Sequence, residues 1–162
     1  MAAIRKGDIG LTNLLFEKNI KKSDARIFAL SFLDRLNCEL GNAKLQNPKL
    51  KKELAKLQVA TSAVMARLCG KKSPLEEKFI NHLNKETAKL AAFFEKNKKI
   101  NQFVVPGICR EETALHLCRA TTRIAECYLV KANAPKDILP VINRMSLYLF
   151  YLACKAAFNK KG

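Results

Sequence analysis

Arg119, Arg123 and Glu126 follow one another at spacings of four and three, which sets all three on one face of a helix. Apolar residues surround them: Leu115, Leu117, Ala120, Ile124 and Ala125. Two guanidiniums one turn apart cost roughly 0.2–0.5 kcal/mol in an isolated helix unless an anion lies between them. Guanidinium is a rigid fork of donors, so the pair suits a phosphate clamp. The alternative is a solvated stripe with an Arg123–Glu126 surface pair. Asp34 and Asn37 lie three apart beside Leu33 and Leu36. A buried Asp there needs a partner, and an Arg from the other helix is a candidate. Asn143 stands one turn from Leu147 in a third segment. At the N-terminus, RKGDIGLT brings Arg5, Lys6, Gly7, Asp8, Gly10 and Thr12 together, with Lys22 downstream. Backbone N–H groups of such a turn can cradle phosphate. It is not a Walker A loop, because GxxxxGK[ST] occurs nowhere in the chain.

These residues require helices to position them. Ser23 is expected as the N-cap of a first helix running to about Gly41–Asn42, with Ile27, Leu30, Leu33 and Leu36 (and Phe28 and Phe32) at helical spacing. Asn47-Pro48 begins a second helix, which carries Leu50, Leu54, Leu57, Val64 and Leu68 and stops at Gly70. Ser73-Pro74-Leu75-Glu76 reads as a capping box for a third helix to about Lys98, with Phe79, Leu83, Leu90, Phe93 and Phe94 as its core. NQFVVPGIC, residues 101–109, reads as an extended connector. A fourth helix spans about Arg110 to Lys131, and a fifth runs from near Lys136 to Phe158 with Pro140 in its first turn. No β pattern of any length interrupts them. The expected fold is all-α, a five-helix bundle over 23–158 behind a phosphate-binding loop over 1–22, forming one domain over 1–162.

The chain has 162 residues, a net charge of +16 and 49% hydrophobic residues. That apolar share excludes disorder as the main state. Much of the positive excess is Lys between positions 44 and 99, which reads as surface. Six cysteines form no CxxC pair, and His82 and His116 lack zinc-ligand spacing. No stretch reaches transmembrane length, and the N-terminus has no secretory h-region. A cytoplasmic protein with reduced cysteines is the expectation.

Taken in order, RKGDIGLT, KKSDAR, LDRLNCELG, FVVPG, ALHLCRATTRIAE and INRMSLYLF resemble the PduO-type ATP:cob(I)alamin adenosyltransferases. The resemblance runs from residue 4 to about 153, and residues 45–100 add only helical pattern. It implies a five-helix bundle that assembles as a homotrimer with sites between subunits. The implied reaction moves the 5′-deoxyadenosyl group of ATP to cob(I)alamin and releases triphosphate. Reduced cobalt is the nucleophile, in keeping with the lack of a Ser–His–Asp or Cys–His constellation. The protein's share is positioning and leaving-group stabilisation.

By motif position, the resemblance assigns Arg5, Lys6, Gly7, Asp8, Gly10, Thr12 and Lys22 to the triphosphate. It makes Asp34 and Arg119 an intersubunit pair and Arg123 an ATP contact. Glu126 and Asn143 match nucleotide or magnesium positions, with Glu126 the Mg2+ ligand. Asn37 matches the DELN asparagine, placed at the cobalamin. Phe103 matches the aromatic that faces the corrin and keeps the lower ligand off cobalt. A cobalt reductase or an enzyme that accepts adenosylcobalamin is an implied partner. Some positions depart from the family pattern: Phe28 stands for Glu, Arg35 for Glu, Ile124 for Arg and Leu147 for Asp. Two alternatives therefore stand beside catalysis. One is a non-catalytic ATP- or cobalamin-binding member. The other is a basic helical nucleic-acid-binding protein, weakened by the absence of Trp and by only 7% aromatic residues.

Overall fold

The computed structural model describes residues 5–72, 77–96 and 104–161. Five helices follow a short N-terminal lobe: α1 (Ala25–Gln46), α2 (Lys51–Leu68), α3 (Glu77–Lys96), α4 (Arg110–Lys131) and α5 (Leu139–Lys161). Helix α4 lies between α1 and α5, while α2 packs on α1 and α3 on α5. The all-α reading holds.

The core follows the helical spacing. Leu33, Leu36 and Leu40 from α1, Leu54 and Leu57 from α2, and Leu115 and Leu129 from α4 are fully or almost fully buried. Ile142, Met145 and Leu149 meet them from α5. Each such side chain contributes about 1.5–3 kcal/mol of burial. Two buried hydroxyls on these helices are satisfied locally, Thr61 by the Leu57 carbonyl and Thr122 by the Cys118 carbonyl. Two aromatic residues expected inside are partly outside. Phe93 is 37% exposed and Phe28 40% exposed, although the Phe28 ring stacks on Tyr128 at 5.1 Å.

Several boundaries differ from the sequence reading. The N-cap of α1 is Asp24, not Ser23, because its carboxylate accepts the Arg26 amide at 2.8 Å and complements the helix dipole. Helix α1 does not stop at Gly41–Asn42. Buried Leu40 and Ala43 carry it on, and packing outweighs the cost of about 0.5–1 kcal/mol for a helical glycine. A Cβ at Gly41 would lie 3.6 Å from Gln58 Nε2, an ordinary contact, so the helix would accept a side chain there. Asn47 ends α1 by donating to the Ala43 carbonyl and to Glu111 O of α4. Pro48 opens a 3-10 turn, Pro48–Leu50, and α2 proper begins at Lys51. Gly70 closes α2 at φ 86°, as expected of a left-handed cap. Helix α5 begins at Leu139 rather than Lys136, with Pro140 in its first turn. The expected Ser73–Glu76 capping box lies outside the described residues.

The N-terminal lobe is more ordered than a loop. It holds a 3-10 turn, Lys6–Ile9, and two short antiparallel strands, β1 (Leu11–Thr12) and β2 (Ile20–Lys21). Leu11 pairs with Lys21 and Thr12 with Ile20. Period-two patterning cannot register in strands of two residues.

Candidate functional site

The RKGDIGLT segment folds around two lysines. The 3-10 turn is closed at Gly10, whose φ of 76° favours glycine, and Asp8 caps the turn by accepting the Arg5 amide at 2.8 Å. Lys22 Nζ donates to Gly7 O at 2.9 Å, and the Lys22 amide donates to Gly10 O. Lys6 Nζ donates to Asn19 Oδ1 at 2.8 Å. Among the described residues neither ammonium has a carboxylate partner. Arg5, Lys6, Gly7, Asp8, Gly10 and Lys22 are exposed, and Thr12 is half-buried. The result is an open turn with unneutralised positive charge.

Arg26 ties the segment between β1 and β2, which includes the Asn19 that holds Lys6, to the start of α1. Its guanidinium holds Glu17 at 2.6 and 3.2 Å and Asp24 at 2.9 Å. Hydrogen bonds to Arg26 hold both carboxylates below their ordinary range. Arg26 lay in the KKSDAR motif but was not singled out. Asn19, at φ 60°, and Asn13, which accepts its amide, complete the fold-back. Arg26→Ala is expected to leave the helical circular dichroism unchanged. It should make the segment before α1 an early trypsin target and raise the KM for ATP about tenfold, in line with the cost of misplacing a phosphate-binding group. An unchanged digest and unchanged KM would show that the network does not organise the turn.

Helix α4 presents its charged residues differently from one another. Arg119 is half-buried, with its guanidinium carbon 5.3 Å from the centroid of the Phe150 ring of α5, a cation–π contact. Arg123 is exposed and Glu126 half-buried. The possible Arg123–Glu126 surface pair does not form, and among the described residues neither has an ion-pair partner. Phe150 is a residue the sequence reading left without a role.

Asp34 is exposed, so it needs no partner inside the chain, and it pairs with no α4 arginine there. Its position on α1 turns it away from the core that Leu33 and Leu36 enter. Asn37 is half-buried, and its Oδ1 is enclosed without a hydrogen-bond partner. Asn143 is exposed. Phe103 lies outside the described residues. Among the described residues, no hydrogen bond or ion pair joins the N-terminal turn to α4. The lobe residues are thus brought together, while Asp34, Arg119 and Arg123 are not joined within one chain.

The chemistry available is that of binding and orienting. Among the described residues no group of three or more His, Cys, Asp or Glu side chains gathers into a metal cage. Magnesium needs none, since it commonly takes one or two carboxylates with water and substrate phosphates. The unpaired Glu126 carboxylate fits that role. Burial pushes the Cys118 thiol up to about 12 and the Cys154 thiol up to about 11, which makes both poor nucleophiles at neutral pH.

An open turn with unneutralised ammonium groups on a helical bundle suits a polyanion. The chain belongs to the cobalamin adenosyltransferase family, whose family model matches residues 2–156. It is 28% identical to a cobalamin adenosyltransferase of Cupriavidus metallidurans, with 99% of this chain and 89% of that protein aligned. It is 26% identical to the corrinoid adenosyltransferase MMAB of Bos taurus, across 96% of this chain and 71% of that one. Among solved structures, it matches a variant PduO-type adenosyltransferase of Lactobacillus reuteri complexed with ATP. The TM-score is 0.84 at 25% identity, covering 96% of this chain and 93% of that one. A second variant of that enzyme, complexed with cobalamin and ATP, has the same fold, with a TM-score of 0.83 at 24% identity. No described helix is long and apolar enough to cross a membrane.

Proposed function

We propose that this chain transfers the 5′-deoxyadenosyl group of ATP to cob(I)alamin. The electron pair of reduced cobalt forms the cobalt–carbon bond at C5′. The C5′–oxygen bond breaks, and triphosphate leaves with that bonding pair. The observation that carries this reading is the pair of lysines held only by amide oxygens, Lys22 on Gly7 O and Lys6 on Asn19 Oδ1. Ammonium groups left unneutralised on a glycine turn are prepared for a polyanion. Together with Arg5, Gly7, Asp8, Gly10 and Thr12 they hold the triphosphate, and Arg123 stabilises the charge that grows on it as it departs. Glu126 holds Mg2+, which supplies neutralising charge when bound, and Asn143 lies at the nucleotide. Asn37 and Phe103 serve the corrin side.

The site is completed by assembly as a homotrimer. Leu117 and Ile124 on α4, Phe28 on α1 and Leu147 on α5 are each at least 40% exposed, an apolar burden suited to a subunit interface. Asp34 of one copy then meets Arg119 of the next, which supplies the ion-pair partner that each lacks among the described residues. Six free thiols accord with a reducing compartment, and we place the protein in the cytoplasm beside a cobalt reductase or an acceptor of its product. The test is product analysis with ATP, magnesium and chemically reduced cobalamin. Intact triphosphate in a one-to-one ratio with alkylated cobalamin is expected. Release of ADP and phosphate, or no nucleotide consumption, refutes the reading.

A further inference from the structure

Glu112 is the one acidic residue that is fully buried among those described, yet no motif includes it. It stands third in α4, after Cys109, an N-cap whose side chain makes no capping hydrogen bond. Its Oε2 accepts the amides of Gly107 at 3.1 Å and Ile108 at 3.2 Å, and the Thr113 hydroxyl at 3.2 Å. Gly107 and Ile108 precede the helix, so the bonds run back onto the connector rather than along α4. Oε1 has no aligned hydrogen bond and faces His116 Nε2 at 3.2 Å. The His116 ring is itself 6% exposed and lies against Phe150, the ring on which Arg119 rests. Burial holds this imidazole below its ordinary pKa.

Burying a carboxyl group is costly, and an ordinary exposed cap would serve the helix without that cost. The cost is sensible where the connector must be held in place. Gly107 has φ 119°, a conformation that side chains rarely adopt, and the connector backbone has no other described hydrogen bond to the bundle before Cys109. The geometry points to Glu112 as a positioning residue that clamps the Val104–Ile108 connector to the start of α4, and so sets the enzyme's hold on cobalamin without affecting its hold on ATP. The second half rests on the proposed function, in which the connector runs on from the corrin-facing Phe103.

Three proteins test this: wild type, Glu112→Ala and Glu112→Gln. Glutamine keeps an oxygen that can accept both amides. Hydrogen exchange at the Gly107 and Ile108 amides should speed at least tenfold in Glu112→Ala and stay near wild type in Glu112→Gln. The KM for cobalamin should rise about tenfold in Glu112→Ala and recover in Glu112→Gln, with the KM for ATP within twofold throughout, as expected when one substrate's contacts are misplaced. Ile142→Val, a core change, controls for lost stability and should leave both KM values alone. Equal exchange in all three proteins overturns the clamp. Parallel rises in both KM values overturn the positioning role. If no protein, wild type included, alkylates cobalamin, the proposed function fails, and the exchange data alone still decide the clamp.

Discussion

Arg123→Ala is expected to lower kcat/KM for ATP about 100-fold or more, the usual cost of removing one preorganised donor from a developing charge. The fold should not notice. Arg123 is exposed and makes no hydrogen bond or ion pair among the described residues, so the melting temperature should move by less than about 2 °C. Arg123→Lys should recover only part of the loss, since an ammonium keeps the charge but not the fork. Because Ile124 stands beside Arg123 where the family pattern has a second Arg, no neighbouring guanidinium on that turn can compensate. Steady-state kinetics with calorimetry check this. A destabilised Arg123→Ala protein, or one with wild-type kcat/KM, would remove Arg123 from the site.

The second large effect concerns Asp34 and Arg119, which pair across subunits in the homotrimer we propose. Removing either partner of an enclosed pair typically costs about 3–5 kcal/mol. Asp34→Arg alone and Arg119→Asp alone should each shift the sedimenting species from trimer towards monomer and reduce adenosyl transfer at least about 100-fold, the scale set by that cost. The double exchange, Asp34→Arg with Arg119→Asp, should restore trimer and at least a tenth of the activity. Recovery stays partial because an aspartate cannot reproduce the Arg119 contact with Phe150. If assembly is unaffected by either single change, or if the double exchange is no better than the worse single one, the two residues do not pair.

The helices were legible because their apolar spacing is regular and their ends carry Pro, Gly or an acidic cap. Helix α4, read as about Arg110 to Lys131, has those bounds. The errors fall where packing outweighs local propensity. Gly41 is a breaker in isolation, yet it lies inside a helix because buried Leu40 and Ala43 on either side of it carry α1 on. The lobe residues expected of the site come from one stretch of sequence, and the fold keeps them together. What was hidden is the support around them. Arg26 holds Glu17 across nine residues, and Glu112 reaches backwards to a connector, and neither pattern has a fixed spacing to find. Asp34 has apolar neighbours in sequence and would need a partner if buried, but Leu33 and Leu36 point inward while Asp34 and Arg35 between them are exposed.

The most direct measurement follows the visible spectrum of cob(I)alamin under anaerobic conditions with ATP and magnesium, with protein in excess. The account predicts full conversion to the light-sensitive spectrum of adenosylcobalamin, one triphosphate per cobalt, and no conversion when ATP is omitted. A cob(I)alamin spectrum that persists at high protein concentration with ATP bound would contradict it and would mark the chain as a binding protein that has kept the family's fold without its reaction.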